Sequence, residues 1–419
     1  MSIPLATRYL DNGLRVTVSH DPNSPGAAVN LWYHVGSADE APRASGFAHL
    51  FEHLMFAGSA HVPDGQHMVI LEALGGLTNA TTSADRTNYF ETVPPGALAL
   101  ALWLEADRLA SLRVLRDSLD TQRAVVHEEK RQRYDNQPYG DQLELMLALA
   151  FPEGHPYATP TIGSMPDLDA ATLADVRRFH STWYRPDNAS LVVVSPLPDD
   201  EVFRLAEKFF AEVSAARCDA PVQNALNVLP PLTGVPRTRV VRPVPRSILH
   251  LLWRTPPPGH PDHAAVSVAL DVLGTGQSCR LHRDLVREAG LAQSVGATDF
   301  GLVRGTSIGG LSAHPVEDVA LAALEDAIVT HIERVSADGP TPAELARVQA
   351  ATERDWFAEL ASPEDRADAI NEAIAVWGQA DHVNHHLDAW HAVTADDVVR
   401  AVDTWLRPDS RAALEYEAA

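Results

Sequence analysis

Cysteine is scarce in this sequence, and long apolar runs are missing. Cys218 and Cys279 are the only two cysteines in 419 residues. They form no C-x-x-C pair, which excludes a disulfide framework and a cysteine-based zinc site. Two isolated cysteines are typical of a reducing compartment. No stretch of about 18 consecutive apolar residues occurs, so we expect no transmembrane helix.

Positive charge is also in short supply. The 33 lysines and arginines are outnumbered by 56 aspartates and glutamates, and the net charge is -23. This balance makes nucleic acids and anionic membranes poor partners. Residues 1–8 show no basic stretch followed by an apolar segment, as a secretory signal would. We therefore expect a cytoplasmic protein, or a periplasmic one if a signal has been trimmed.

An internal repeat indicates two domains. Residues 172–187 read TLADVRRFHSTWYRPD, residues 394–409 read TADDVVRAVDTWLRPD, and nine of these sixteen positions are identical at an offset of 222. In both copies a helical stretch ends at the proline, which cannot continue a helix. The repeat predicts homologous domains at 1–217 and 246–419, joined by a proline-rich linker at 218–245.

The first half mixes strands and helices without regular alternation. The predicted elements are strands at 14–19, 27–34 and 87–92, and helices at about 45–57, 64–74, 95–112, 117–134 and 171–183. Irregular mixing of this kind is typical of an α+β fold. We predict that each domain has a mainly antiparallel sheet with helices packed on it.

The segment His49-Leu50-Phe51-Glu52-His53 is the most informative motif. Side chains four apart on a helix project from one face, so both imidazoles can reach one metal ion. The Glu52 carboxylate lies beside them and can act as general base toward an attacking water. This is the reversed form of the H-E-x-x-H zinc-protease helix, and it predicts hydrolysis of peptide bonds.

A catalytic zinc site needs a third protein ligand and one open position. In the following helical segment, Leu119, Gln122, Val126 and Glu129 recur at spacings of three and four. Glu129 therefore lies on an apolar face, where an unpaired carboxylate is costly unless a cation accompanies it. Its neighbour Glu128 is rotated by about 100°. We assign Glu129 as the third ligand and keep Glu128 as the alternative.

Further segments that match a known protein family lie along nearly the whole chain. They are residues 46–56, 75–82, 85–91, 129–132, 135–140, 155–157 and 273–281. With these segments the sequence resembles the pitrilysin/insulinase family of zinc peptidases, in particular bacterial members related to mitochondrial processing peptidase. The resemblance implies one zinc ion per chain, held by His49, His53 and Glu129, with Glu52 as general base. It also implies that Gln122 replaces an acidic residue that usually supports the site.

The resemblance also suggests how substrate is held. Asn79, Ala80, Thr81 and Thr82 correspond to the family's substrate-binding edge strand. A peptide adds to such an edge through main-chain hydrogen bonds. Because the main chain is the same for every residue type, broad specificity is expected.

One part of the family's active site is missing here. Active members carry an arginine and a tyrosine seven apart, in a segment that resembles Leu285–Val295. The corresponding positions are Val286 and Gln293. The family closes two half-shells into a clam-like chamber, and this chain has the length of one. The resemblance therefore implies a heterodimer whose homologous partner supplies the arginine and tyrosine.

Two functions compete on this evidence. The first is a zinc endopeptidase that hydrolyses short or unfolded peptides as the catalytic subunit of that heterodimer. The alternative is a non-catalytic or weakly catalytic subunit that serves assembly or peptide maturation. The general base at Glu52 favours the first, because a scaffold needs no such group.

Overall fold

The computed structural model describes residues 2–214, 223 and 225–419. The strands in these ranges are β1 Ala6–Tyr9, β2 Arg15–His20, β3 Ala27–Tyr33, β4 Leu77–Thr82, β5 Thr87–Val93, β6 Ala189–Ser195, β7 Arg237–Arg242, β8 Ile248–Thr255, β9 Ala292–Asp299, β10 Ser307–Pro315 and β11 Ala412–Ala418. The helices are α1 Phe47–Leu54, α2 Gln66–Glu72, α3 Leu98–Ser111, α4 Arg116–Lys130, α5 Gln142–Ala150, α6 Met165–Ala170, α7 Leu173–Trp183, α8 Asp199–Phe210, α9 His263–Gly274, α10 Leu321–Asp338, α11 Pro342–Ala361, α12 Pro363–Trp377, α13 His386–Ala392 and α14 Ala395–Trp405. None of these helices is both long and apolar enough to span a bilayer.

The strands form two sheets with the same topology. The first sheet has the order β1-β2-β6-β3-β5-β4, and the second has the order β7-β11-β8-β10-β9. In each sheet one neighbouring pair is parallel, β2 with β6 and β7 with β11, and the remaining pairs are antiparallel. The second order repeats the first without β1. The predicted α+β fold with two mainly antiparallel sheets is confirmed.

The repeated sequence segments form equivalent helices, α7 and α14. Each begins with a capping box, in which Thr172 pairs with Asp175 and Thr394 pairs with Asp397. Such a box satisfies main-chain N–H groups at the first turn, which have no partner inside the helix. Each helix ends at a tryptophan before an Arg-Pro-Asp turn. The sequence repeat thus corresponds to two helices that begin and end in the same way.

The compact units differ from the contiguous domains predicted at 1–217 and 246–419. The first unit comprises Met1–Arg131, Thr159–Gln223 and Trp356–His385, and the second comprises Gln132–Ala158, Asn224–Asp355 and His386–Ala419. Each half of the sequence therefore gives one segment to the other unit. Of the linker predicted at 218–245, residues 218–222 and 224 lie outside the described residues, and the last part forms strand β7.

Helix α12 explains the exchange in the first unit. Its apolar residues share one core with strand residues of the first sheet, namely Ala28, Val192, Val194, Ala367, Ile370 and Ile374. Its Asp368 carboxylate also accepts three hydrogen bonds of 2.9 Å from side chains of that sheet, those of Asn30, Trp32 and Asn88. Apolar burial and a satisfied carboxylate together fix α12 on this sheet. In the second unit, α5 packs against β8 and β11.

Candidate metal centre

Helix α1 carries the H-x-x-E-H motif and has two distinct faces. Phe47, Leu50, Phe51 and Leu54 are buried. The Phe51 ring stacks on Phe179 of α7, with ring centroids 5.2 Å apart. This anchoring leaves the histidines and the glutamate of the motif on the other face, as the helical period requires.

The three proposed metal ligands come together in the first unit. Glu129 Oε2 lies 3.5 Å from His49 Nε2 and 3.3 Å from His53 Nε2. One potential ligand atom from each residue lies within 4.8 Å of the other two. Helix α4 brings Glu129 there because Leu119 and Val126, on the same face, are fully buried. The apolar face predicted from the sequence is therefore the face of α4 that packs against the rest of the first unit.

Glu128, the alternative third ligand, points elsewhere. Its carboxylate pairs with Arg131, and its side chain is 46% exposed, whereas the Glu129 side chain is 15% exposed. Helix α4 ends at Lys130 and continues as a single π-helical turn, Arg131–Asp135. The structure thus favours Glu129 as the ligand.

This donor set fits a zinc ion. Zinc is bound tetrahedrally by imidazole nitrogens and carboxylate oxygens at roughly 2.0–2.2 Å, which places neighbouring donor atoms about 3.3–3.5 Å apart. The two distances from Glu129 Oε2 to the imidazoles, 3.5 and 3.3 Å, agree with that spacing. Three protein ligands leave one position open, as in catalytic rather than structural zinc sites.

A buried carboxylate caps the first turn of α1. Glu40 accepts hydrogen bonds of 2.8 Å from the main-chain N–H groups of Gly46 and Ala48. These groups have no partner within the helix, and a negative charge is favourable at a helix N-terminus. Burial nevertheless raises the pKa of Glu40 to about 8, against the effect of both hydrogen bonds. The sequence motifs gave no sign of this cap, because Glu40 precedes the helix in a loop.

Glu52 has a partner on the neighbouring strand. The Thr82 hydroxyl donates a hydrogen bond of 2.6 Å to Glu52 Oε2. Thr82 was predicted only as part of the substrate-binding strand. Its contact with the proposed general base depends on the packing of α1 against β4, which spacing along the sequence does not reveal.

The predicted substrate-binding residues lie at the edge of the first sheet. Asn79, Ala80, Thr81 and Thr82 all belong to β4, and no described strand pairs with its outer side. The side-chain oxygen of Asn79 accepts a hydrogen bond of 2.9 Å from the Ala80 main chain. The edge is thus open along the strand that contacts Glu52.

Gln122, predicted to support the metal ligands, is half-buried in α4. Within the described part of the chain, its side chain forms no hydrogen bond. The supporting role of Gln122 therefore stays a prediction.

The two positions of the missing arginine and tyrosine lie in the second unit. Val286 is partly buried and packs against the apolar core. Gln293 lies on β9, where its side-chain oxygen accepts a hydrogen bond from Arg246. Arg287, which follows Val286, donates a hydrogen bond of 3.4 Å to the side-chain oxygen of Gln277. Neither position offers a side chain of the expected chemistry.

A second group of potential ligands lies buried in the first unit. His67, Glu91 and Glu105 have potential ligand atoms within 4.8 Å of one another. Arg108 pairs with both carboxylates, so a cation is already present. Burial and the nearby Glu105 carboxylate raise the pKa of Glu91 well above its ordinary value. Because the Arg108 guanidinium already supplies positive charge there, we interpret this cluster as a structural network.

Known proteins match this chain along most of its length. The protein-family model described as insulinase, peptidase family M16, matches residues 15–164. The model described as the M16 inactive domain matches residues 170–352. The zinc protease PqqE of Helicobacter pylori is 30% identical over 407 residues, which cover 95% of this chain and 89% of that protein. The chain belongs to the insulinase family, peptidase family M16.

Solved structures of two bacterial proteases show the same fold. A protease from Helicobacter pylori superposes with a TM-score of 0.92 at 27% identity, and each chain is covered completely. The periplasmic protease PqqL from Escherichia coli has a TM-score of 0.81 at 17% identity, with 99% of this chain but only 48% of PqqL covered. In this M16 chain, the proposed ligands and Glu52 all lie within the region that matches the insulinase model, outside the region of the inactive domain.

Proposed function

We propose that this M16 protein is a zinc-dependent endopeptidase. The observation that carries the proposal is the convergence of His49, His53 and a single oxygen of Glu129 at distances suited to zinc. The name zinc protease given to the relative from Helicobacter pylori supports the same chemistry. One zinc ion per chain is proposed.

The proposed chemistry divides between the metal and Glu52. Zinc, when bound, supplies Lewis-acid activation of water and of the scissile carbonyl. The Glu52 carboxylate takes a proton from the attacking water and later passes it to the leaving nitrogen. His49, His53 and Glu129 hold the metal, and the Glu40 cap fixes the first turn of the helix that carries both histidines.

The proposed substrate is a short or unfolded peptide in extended form. Main-chain groups on the outer side of β4 are available for an additional strand, so the peptide would be recognised through its backbone. An added strand needs a chain free of its own tertiary structure. Folded proteins are therefore poor substrates on this account.

We further propose that a homologous partner completes the active site. Hydrolysis needs donors for the oxyanion that forms at the scissile carbonyl, and Val286 and Gln293 stand where the family has arginine and tyrosine. The similar structure of PqqL is a chain of which this protein covers 48%. A second chain of similar size would supply the other half of the chamber, with the arginine and the tyrosine.

The replacement Glu52→Gln tests the proposed function. Zinc content should stay near one per chain, because Glu52 is not among the ligands, whereas peptide cleavage should fall to background. Zinc content and cleavage of a fluorogenic peptide are measured on the same preparation, with and without a chelator. A variant that cleaves as fast as the wild type would contradict the role of Glu52. A wild-type protein that binds no zinc and cleaves only at background, even with its partner, would favour the assembly or maturation subunit.

A further inference from the structure

The Thr82 hydroxyl and the Glu52 carboxylate form a short, charge-assisted hydrogen bond. The 2.6 Å between Thr82 Oγ1 and Glu52 Oε2 is within the range for O–H···O⁻ bonds, roughly 2.5–2.7 Å, which are about twice as strong as neutral ones. It is the one hydrogen bond found for this carboxylate in the part of the chain that the structure describes. The other oxygen, Oε1, is left to receive a proton.

The main chain of Thr82 faces the open edge of the sheet. Beyond the strand end, the Ser83 N–H donates to the Arg86 carbonyl at 2.8 Å. Opposed residues in an antiparallel ladder alternate between hydrogen-bonded and non-hydrogen-bonded pairs. The next pair, Thr82 opposite Thr87, is therefore non-hydrogen-bonded, and the N–H and C=O of Thr82 point outward. An added peptide strand would pair with them.

We propose that Thr82 is a positioning residue that couples the peptide-binding edge to the general base. The inference rests on the proposed peptidase function. Through its main chain Thr82 contacts the bound peptide, and through its hydroxyl it fixes the plane of the Glu52 carboxylate. The oxygen that takes the proton is thereby held in register with the peptide bond next to β4. Loss of the hydroxyl leaves the carboxylate free to rotate.

The variants Thr82→Val and Thr82→Ser test the coupling in the zinc-loaded chain, assayed with any partner that co-purifies. Valine keeps the shape and strand preference of threonine but removes the donor. We expect kcat to fall roughly tenfold or more, as for other residues that orient site groups, with KM within about twofold and zinc unchanged. Serine restores the donor, so Thr82→Ser should recover most of kcat.

A matched control is Thr7→Val on the opposite edge strand. Thr7 also loses a hydroxyl partner in this change, because it pairs with Thr17 at 3.0 Å, but it lies far from β4 in the strand order. Its kcat should equal the wild-type value. The proposal is overturned if Thr82→Val keeps wild-type kcat, changes KM alone, or is not rescued by serine.

The same assays separate this proposal from the proposed function. If Glu52→Gln abolishes cleavage and Thr82→Val does not slow it, only the coupling is wrong. If the wild-type protein neither retains zinc nor cleaves peptides, the proposed function is wrong and the coupling is overturned with it.

Discussion

Buried titratable residues surround the helix that carries the metal motif. His180 of α7 stacks against Phe51 of α1, with ring centroids 5.8 Å apart, and against Tyr184 at 5.6 Å. Burial lowers the pKa of His180 from 6.5 to about 4, because the charged imidazolium loses its hydration. The neutral ring is thus part of the packing that holds α1.

This burial predicts a specific loss of stability in acid. Between about pH 6.5 and pH 4, the unfolded chain protonates His180 and the folded chain does not. The free energy of unfolding therefore decreases as pH falls, by about 1.4 kcal/mol per pH unit for this one group. His180→Phe keeps a stacked ring and removes the titration. The free energy of unfolding, measured with urea at pH 7.5 and pH 5, should decrease less for the variant than for the wild type. An equal decrease in both proteins would contradict the role given to His180.

At the residue scale, the proposed ligands could be predicted from the sequence, and the residues that contact them could not. Spacing on helices indicated His49 and His53 on one face of α1 and Glu129 on the apolar face of α4, because residues on one helix face repeat at three or four positions. Glu40 and Thr82 reach α1 from a loop and from a strand. Their contacts exist only after the chain has folded, so no period in the sequence marks them.

At the scale of elements, β4 is one of the two edge strands of the first sheet. The N–H of Ala80, on the outer side of β4, donates a hydrogen bond to the side-chain oxygen of Asn79. An open strand edge presents unpaired main-chain groups, and this bond occupies one of them. A peptide that pairs with β4 would displace it.

Strand addition predicts sensitivity to N-methylation with a period of two. In a strand, successive N–H groups point to opposite sides, so only alternate residues of a bound peptide can donate to β4. Methylation at those residues should raise KM roughly two- to tenfold each, the value of one hydrogen bond. Methylation at the intervening residues serves as the control. Measured KM values that change equally at every position would contradict this binding mode.

Helix α12, which packs on the first sheet, shows what could not be predicted about elements from the sequence. The amphipathic pattern of α12 is visible in the sequence, but the pattern does not say which sheet it covers. The choice depends on Asp368 meeting three donors from β3 and β5. The repeat therefore predicted two homologous domains but not the segments that the two compact units exchange.

At the scale of the whole molecule, the fold is duplicated and the three proposed metal ligands lie together in the first unit. If a partner supplies the oxyanion donors, the isolated chain should bind zinc and yet cleave peptides slowly. Loss of one such donor costs about a hundred- to a thousandfold in kcat. Co-purification from the native source, followed by assays with and without the captured partner, measures this difference. Full activity from a verified monomer would show that no partner is needed.

The central claim is that His49, His53 and Glu129 form a zinc site, and zinc bound per chain tests it most directly. Metal content after dialysis is measured for the wild type, Glu129→Gln and Glu128→Gln. The two variants lose the same charge at adjacent positions of one helix. We predict about one zinc per chain for the wild type and for Glu128→Gln, and a 10–100-fold or greater loss of affinity for Glu129→Gln. Equal zinc binding by both variants would contradict the account.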